Sequence, residues 1–251
     1  MGVVAVRQWV AAVVLLIAGR PKLRSFTAAQ WRPVLALAVV FATMNLTLYT
    51  AIDRIGLGLA VTLEFLGPLT VALASSRRRI DLACALAAAA AVVVLARPRP
   101  STDYLGIGLA LVAAVCWGSY ILLNRTVGER LPGLQGSAAA AAVSGLLYLP
   151  VGAAALWLHQ PTAGALLCAL AAGVLSSAVP FLADLLALRR VPARFFGIFM
   201  SVNPVFAALI GMFVLGQHLA TASWLAVAVI VTTNAVAVGT AASHSREKTA
   251  R

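Results

Sequence analysis

The stretch Gly56–Ala74 reads GLGLAVTLEFLGPLTVALA. An apolar run of this length spans about 30 Å of hydrocarbon as a helix rising about 1.5 Å per residue. It does not alternate polar and apolar residues, as a membrane barrel strand does. Glu64 stands near its middle, where an ionised side chain facing lipid costs a few kcal/mol or more. The run therefore reads as a membrane helix that turns one face to protein or to a wet cavity.

Outward from it, eight further apolar runs follow the same rule: Val3–Ala18, Pro33–Ile52, Ile80–Ala96, Tyr104–Leu123, Leu134–Leu158, Ala163–Leu186, Phe195–Leu215 and Ala222–Ala241. The first is the weakest, because Arg7 and Gln8 leave only Trp9–Ala18 without a strongly polar residue. No small-residue cleavage site follows it, so it is not a typical signal peptide. The chain has 251 residues, 62% hydrophobic and 10% charged, with a mean hydropathy of +0.99. Soluble domains carry about 25% charged residues, so a large aqueous domain is excluded. The expected fold is an all-α polytopic membrane protein of nine spans.

Lys and Arg number 19 against 7 Asp and Glu, a formal net charge of +12. The basic residues sit mostly in the gaps between runs rather than on one polar surface, so they do not point to nucleic acid. If spans alternate, Arg7, Arg54, Arg97 and Arg99 fall on one face and the remaining Lys and Arg on the other. Such a bias over short loops makes the second face cytoplasmic, with the carboxyl terminus inside and the amino terminus outside. An outside amino terminus ahead of a short, poorly apolar span suggests that one helix before Met1 is missing.

An offset of 136 residues superposes Ala51–Leu73 on Ala187–Leu209, with Arg54 on Arg190, Pro68 on Pro204, and Ala51, Ala72 and Leu73 on Ala187, Ala208 and Leu209. Each copy has a basic corner followed by an apolar helix with a proline about 14 residues on. The offset covers five spans, so the copies enter the membrane from opposite faces. That is the pattern of inverted repeats in secondary transporters. A helical proline frees the carbonyl four residues back, here those of Glu64 and Met200. Pro68 and Pro204 either bend helices for packing or line a binding site, and both can hold at once.

Other residues stand out against lipid. Asp184 lies five residues before Arg189–Arg190, where a local ion pair competes with a functional role. Asn45 and Asn203 need hydrogen-bond partners in hydrocarbon and contact either substrate or a neighbouring helix. Tyr49 lies one helical turn beyond Asn45 and faces the same way. Trp117 and Tyr120, spaced i,i+3 in mid-span, wall a pocket or pack on a neighbouring helix. Asp53, Asp81, Asp103 and Glu129 fall beside span ends, as solvated or capping residues. Cys84, Cys116 and Cys168 lie inside apolar runs without metal spacing, and His159, His218 and His244 are scattered, so no cofactor or metal site is expected. No phosphate-binding loop is present, because no Lys-Ser or Lys-Thr follows GLGLA or GIGLA. Pumping must then draw on an ion gradient or on the solute's own.

The run MNLTLYTAIDRIGLGLAVTLEFLGPLTVALASSRR, Met44–Arg78, closely resembles the first-repeat core of the drug/metabolite transporter superfamily, EamA group, and most of all its threonine/homoserine exporter-like branch. The run VPFLADLLALRRVPARFFGIFMSVNPVFAALIGMFVLGQHL, Val179–Leu219, resembles the matching part of the second repeat. With the flanking helices, the resemblance covers essentially the whole chain. It implies ten helices in two inverted five-helix units, cytoplasmic termini, and export of amino acids or related metabolites from the bacterial inner membrane. On that template the chain has a four-span first unit lacking its first helix (residues 1–98), a five-span second unit (99–243) and a polar cytoplasmic tail (244–251). Arg7 then matches a basic residue near the start of the family's second helix, and Glu64 the acid before FLGP. Asp184 stands where relatives typically carry Glu. Asn203 and Gln217 replace acids that relatives commonly carry there, which bears on substrate or on coupling.

The leading expectation is a secondary transporter exporting small polar metabolites, amino acids such as threonine or homoserine, by proton- or gradient-driven alternating access. The site would use Arg7, Asn45, Tyr49, Glu64, Pro68, Trp117, Tyr120, Asp184, Asn203 and Pro204. Its partners would be the solute, protons and membrane lipid, not nucleic acid; a homodimer would hide an apolar helix face but leaves no mark in an apolar pattern. Two other classes stand beside it. One is a degenerate or non-transporting membrane protein of the same fold. The other is an intramembrane enzyme, which would need the clustered nucleophile, base or metal ligands that the sequence does not supply.

Overall fold

The computed structural model describes residues 2–75, 79–96, 99–158, 162–180, 182–183, 206, 220–233 and 236. Its described secondary structure is helical throughout: α1 (Gly2–Gly19), α2 (Ala28–Ile55), α3 (Leu57–Glu64), α4 (Leu66–Ser75), α5 (Arg79–Ala96), α6 (Tyr104–Arg130), α7 (Gln135–Leu147), α8 (Leu149–Leu158), α9 (Ala163–Gly173) and α10 (Thr221–Thr233), with a π-helical turn at Val174–Ala178.

Local chemistry sets the helix ends. At the start of α2 the Thr27 N–H donates to Gln30 Oε1 at 3.0 Å, while Gln30 Nε2 donates to the last carbonyl of α6, Arg130 O, at 3.3 Å. One side chain thus serves orphan groups of two helix termini. The α2–α3 corner is made by Gly56 at φ 81° and ψ 157°, backbone that only glycine adopts without strain. Asp103 caps α6, its Oδ1 accepting from the Gly106 N–H at 3.0 Å.

Three helices depart from the expected straight spans. The Gly56–Ala74 run breaks at Phe65 into α3 and α4, three residues ahead of Pro68. The Leu134–Leu158 run is bent by 47° at Tyr148. Pro150 lacks the N–H that would serve the carbonyl of Leu146, and this proline is the physical cause of the bend. After α9 the Val179 N–H reaches back five residues to Val174 O, a π turn just ahead of Pro180.

By length and apolarity, three helices among the described residues can cross a membrane: Ala28–Ile55, Leu57–Ala74 and Tyr104–Arg130. The bent pair Gln135–Leu147 and Leu149–Ala155 makes a fourth if it is one span. The expectation of nine is not met in that count. Val4–Gly19, Ala163–Gly173 and Thr221–Thr233 are apolar but short, and much of the last two predicted spans lies outside the described residues. The second copy of the proposed repeat, Ala187–Leu209, also lies outside them except for Phe206.

Packing relies on small residues. A Cβ on Gly67 of α4 would fall 2.2 Å from the Ala114 carbonyl oxygen of α6, so these helices cross in backbone contact. The first helix is seated on the second half of the chain: Gly19 meets Ala138, Gly145 meets Ala12, Gly152 meets the Trp9 ring and Gly173 meets Val10. Trp9 Nε1 also donates to Gly145 O at 3.0 Å. The main core joins Leu37, Phe41, Tyr120, Ile121 and the alanines 138–141. Large apolar side chains such as Leu105, Val115 and Leu122 lie exposed, while Glu64, Gln8 and Asn124 are buried. That arrangement suits a lipid surroundings rather than water.

Candidate functional site

A charged group and three hydroxyls gather where α1, α2, the α7–α8 bend and the π turn meet. Arg7 comes from α1. Its Nε donates to Ser177 Oγ at 3.2 Å, and its Nη1 donates to the Tyr49 hydroxyl. The Arg7 guanidinium carbon also lies 5.3 Å from the centre of the Tyr49 ring, within cation–π range. Tyr148, at the bend, clusters with Val4 and Ala5, and Tyr49 packs against that cluster; the Tyr148 hydroxyl donates to Ala42 O at 2.8 Å. Gln8, next to Arg7 in sequence, is 3% exposed, and among the described residues neither its Oε1 nor its Nε2 has a hydrogen-bond partner.

A second locus surrounds the α3–α4 break. Glu64 ends α3 and is 6% exposed. The Phe65 ring next to it meets Trp117 edge to face at 6.4 Å. Pro68 is buried in α4. Tyr120, one turn beyond Trp117 on α6, stacks on Phe41 at 5.8 Å and accepts from Asn124 Nδ2 at 3.4 Å. The two aromatics therefore serve core contacts between α2, α4 and α6. Asn45 bonds within its own helix, its Nδ2 donating to Phe41 O at 2.9 Å.

Of the expected site residues, Arg7 and Tyr49 are in direct contact. Glu64 and Pro68 flank the break, and Trp117 meets it through the Phe65 ring. Asp184, Asn203 and Pro204 lie outside the described residues. Ser177, Tyr148 and Gln8 were absent from that set. A signal for two of them existed in the sequence: Tyr148 and Ser177 stand two and three residues ahead of Pro150 and Pro180, as Glu64 stands four ahead of Pro68.

The acids beside span ends divide. Asp103 pairs with Arg54 Nε at 2.9 Å. The Gly106 N–H first, and Arg54 after it, hold its carboxyl below the usual carboxylate range. Glu129 pairs with Arg125 at 3.0 Å on the same helix, Asp53 is exposed, and Asp81 is buried in the first turn of α5. A groove of about 390 Å³ also runs between α1 and α9, walled by Val6, Val10, Val13 and Val14 on one side and Leu166 and Leu170 on the other. Its apolar walls offer nothing to recognise a polar solute. Among the described residues, no three His, Cys, Asp or Glu are placed to hold a metal.

Comparison with known proteins gives a consistent outcome. The family model described as the EamA-like transporter family matches residues 104–238. The threonine/homoserine exporter RhtA of Escherichia coli strain K12 is 35% identical over 237 residues, covering 92% of this chain and 79% of that protein. The RhtA of Salmonella typhimurium strain LT2 is 34% identical over 253 residues, covering 98% and 83%. A solved crystal structure shares the fold with a TM-score of 0.76 over 94% of this chain and 86% of its own, at 22% identity, a likeness of fold alone. The family model and the curated relatives are all described as transporters or exporters. With an apolar helical bundle and bacterial relatives over nearly its whole length, this is a bacterial membrane protein, and it belongs to the EamA-like transporter family, on the RhtA-like branch of the drug/metabolite transporter superfamily.

Proposed function

We propose that the protein is a secondary transporter that exports small polar metabolites, amino acids of the threonine and homoserine kind, by alternating access. The observation that carries this reading is the placement of its ionisable groups at breaks in apolar helices. Glu64 is buried at the α3–α4 break, and Arg7 is held between α2 and the π turn. Ionisable groups within spans are costly unless they face a cavity or each other, and interrupted helices supply solute and ion sites in transporters. The name of the RhtA relatives supports the choice of cargo.

In this reading nine spans form two inverted units, residues 1–98 and 99–243, with residues 244–251 as a cytoplasmic tail. The solute cavity is framed by Arg7, Tyr49, Glu64 and Pro68, and by Asp184, Asn203 and Pro204 of the second unit. Glu64 carries the coupling proton, loading it on the outer side and releasing it inward as cargo leaves.

Uptake into everted vesicles or proteoliposomes tests this. The protein is expected to move an amino acid from a panel of amino acids and metabolites. No flux across the panel, with the protein monodisperse and folded, overturns the reading. Glu64→Gln keeps the shape of the side chain but cannot ionise. It should insert and fold, lose transport driven by a proton gradient, and retain exchange at equal pH. Full proton-driven transport by that variant would move coupling to another group.

A further inference from the structure

We propose that the protein holds one anionic phospholipid at a fixed place, its headgroup phosphate on Arg20, Lys22 and Arg24 and an acyl chain in the apolar groove between α1 and α9. The inference rests on the membrane placement of the chain and is independent of which solute it carries.

The groove and the basic cluster lie along one face of one helix. Val6, Val10, Val13, Ile17 and Arg20 follow at spacings of four, three, four and three residues, the repeat that keeps side chains on one side of a helix. Val6, Val10 and Val13 wall the groove opposite Leu166 and Leu170 of α9. Beyond the groove the stripe stays uncovered, with Val13 55% and Ile17 67% exposed. It ends at Arg20, whose N–H still donates to Leu16 O at 2.9 Å, so the helical path continues to that residue. Arg20, Lys22 and Arg24 are all exposed. From Val10 to Arg20 the helix rises about 15 Å, half of the roughly 30 Å of hydrocarbon and so the depth of one leaflet. A chain attached to a headgroup at Arg20 therefore reaches the groove without leaving its leaflet.

The chemistry matches at both ends. Between Arg20 and Arg32 the sequence carries four cations and no acid. Arg20, Lys22 and Arg24 have no ion-pair partner among the described residues. Their connector is held in place: the Lys22 N–H donates to Gln135 Oε1 at 3.5 Å, the Ser25 hydroxyl donates to Lys22 O at 2.8 Å, and Phe26 and Trp31 pack against the main core. Guanidinium and ammonium groups bond phosphate oxygens strongly, and basic clusters just past a membrane helix attract anionic headgroups. The groove walls are aliphatic apart from Trp9, which spends its one N–H on Gly145 O. If the three cations served only to set topology during insertion, the folded protein would hold lipids by their chains alone and ignore the headgroup.

The test reads that difference. Protein in a neutral detergent is titrated with phosphatidylglycerol or with phosphatidylcholine of the same acyl chains, and bound lipid is counted by native mass spectrometry. One phosphatidylglycerol should stay bound and raise Tm, and phosphatidylcholine should bind about tenfold more weakly or worse. Glycerol 3-phosphate, a headgroup without chains, should neither bind nor raise Tm at the same concentration. Arg24→Gln should weaken phosphatidylglycerol about fivefold, and Arg20→Gln with Lys22→Gln should bring it close to phosphatidylcholine. Val13→Trp, which fills the groove from an exposed position, should weaken both lipids. Arg125→Gln, whose cation is already paired with Glu129, should change neither. Should the double variant not fold, Arg24→Gln and Val13→Trp, both at exposed positions, decide. Equal binding of the two lipids overturns the proposal, as does an Arg125→Gln loss equal to that of Arg24→Gln, which would mean diffuse attraction. So do full lipid retention by Val13→Trp, glycerol 3-phosphate binding as tightly as the lipid, and a dimer that Val13→Trp dissociates, which would put a second copy over the groove.

Discussion

Asp103 accepts the Gly106 N–H at the start of α6 and pairs with Arg54 at the end of α2, so one carboxylate joins two helix ends. Its pKa is lowered on folding, first by the backbone hydrogen bond from Gly106. A lowered carboxyl contributes stability that is complete above its unfolded value, about 3.9, and is lost as pH falls through the folded value beneath it. Asp103→Ala should therefore melt below wild type at pH 7, and the gap should close as the pH is taken under about 4. A gap that stays constant with pH would mean that the carboxylate is not its source. Charged residues of this kind are legible in an apolar sequence because each is an exception that needs an explanation. Hydroxyls are not. Thr47, Thr50, Thr62, Thr70, Ser119 and Thr126 each bond the carbonyl four residues back in their own helix. A Ser or Thr in a span thus hides easily, and only tertiary placement distinguishes Ser177, which reaches Arg7, from its self-satisfied neighbours. Asn45 behaves as those threonines do.

At the scale of elements, hydropathy located the described helices well but not their breaks or their overhangs. The expected Tyr104–Leu123 run continues to Arg130, because Arg125 and Glu129 pair along the surface and extend α6 beyond its apolar part. At about 1.5 Å per residue, its 27 residues reach roughly 40 Å, about 10 Å past the hydrocarbon. Proline positions alone misplace the breaks by two or three residues, since the turn forms where the freed carbonyl and the neighbouring packing allow it. The crossing of α4 on α6 was not legible, because it depends on how closely Gly67 approaches the Ala114 carbonyl. Gly67→Ala should cost about 1–3 kcal/mol through overpacking, read as a lower melting temperature in detergent. Gly118 sits at the same crossing with room for a methyl, its nearest neighbour being Gly67 O at 3.4 Å. Gly118→Ala should therefore melt near wild type, and equal losses in the two variants would refute the account of the crossing.

For the molecule as a whole, the helix ends meet at two levels. Gln30 and Ala29 bond with Arg130, and Gly19 lies on Ala138, at one level. At the other, Arg54 meets Asp103 and Gly2 meets Ala155. Successive helices run between these two levels, and the level of Arg54 and Asp103 is expected to face outward. Single cysteines in a background lacking Cys84, Cys116 and Cys168 decide it. Ser101→Cys should react with an impermeant maleimide on intact cells, and Lys22→Cys only after permeabilisation. The reverse result, or labelling of both from one side, would reject the orientation. The seating of α1 on α7, α8 and α9 also has a consequence for biogenesis. Its partners leave the ribosome more than a hundred residues later, about 10–20 s at typical elongation rates. During that interval α1 can meet α2, through Arg7 and Tyr49, but not the helices on which its glycine and alanine contacts seat it. A nascent chain stalled before Gln135 should therefore hold α1 in a protease-sensitive, translocon-adjacent state that is released once Gly145 and Gly173 have been made.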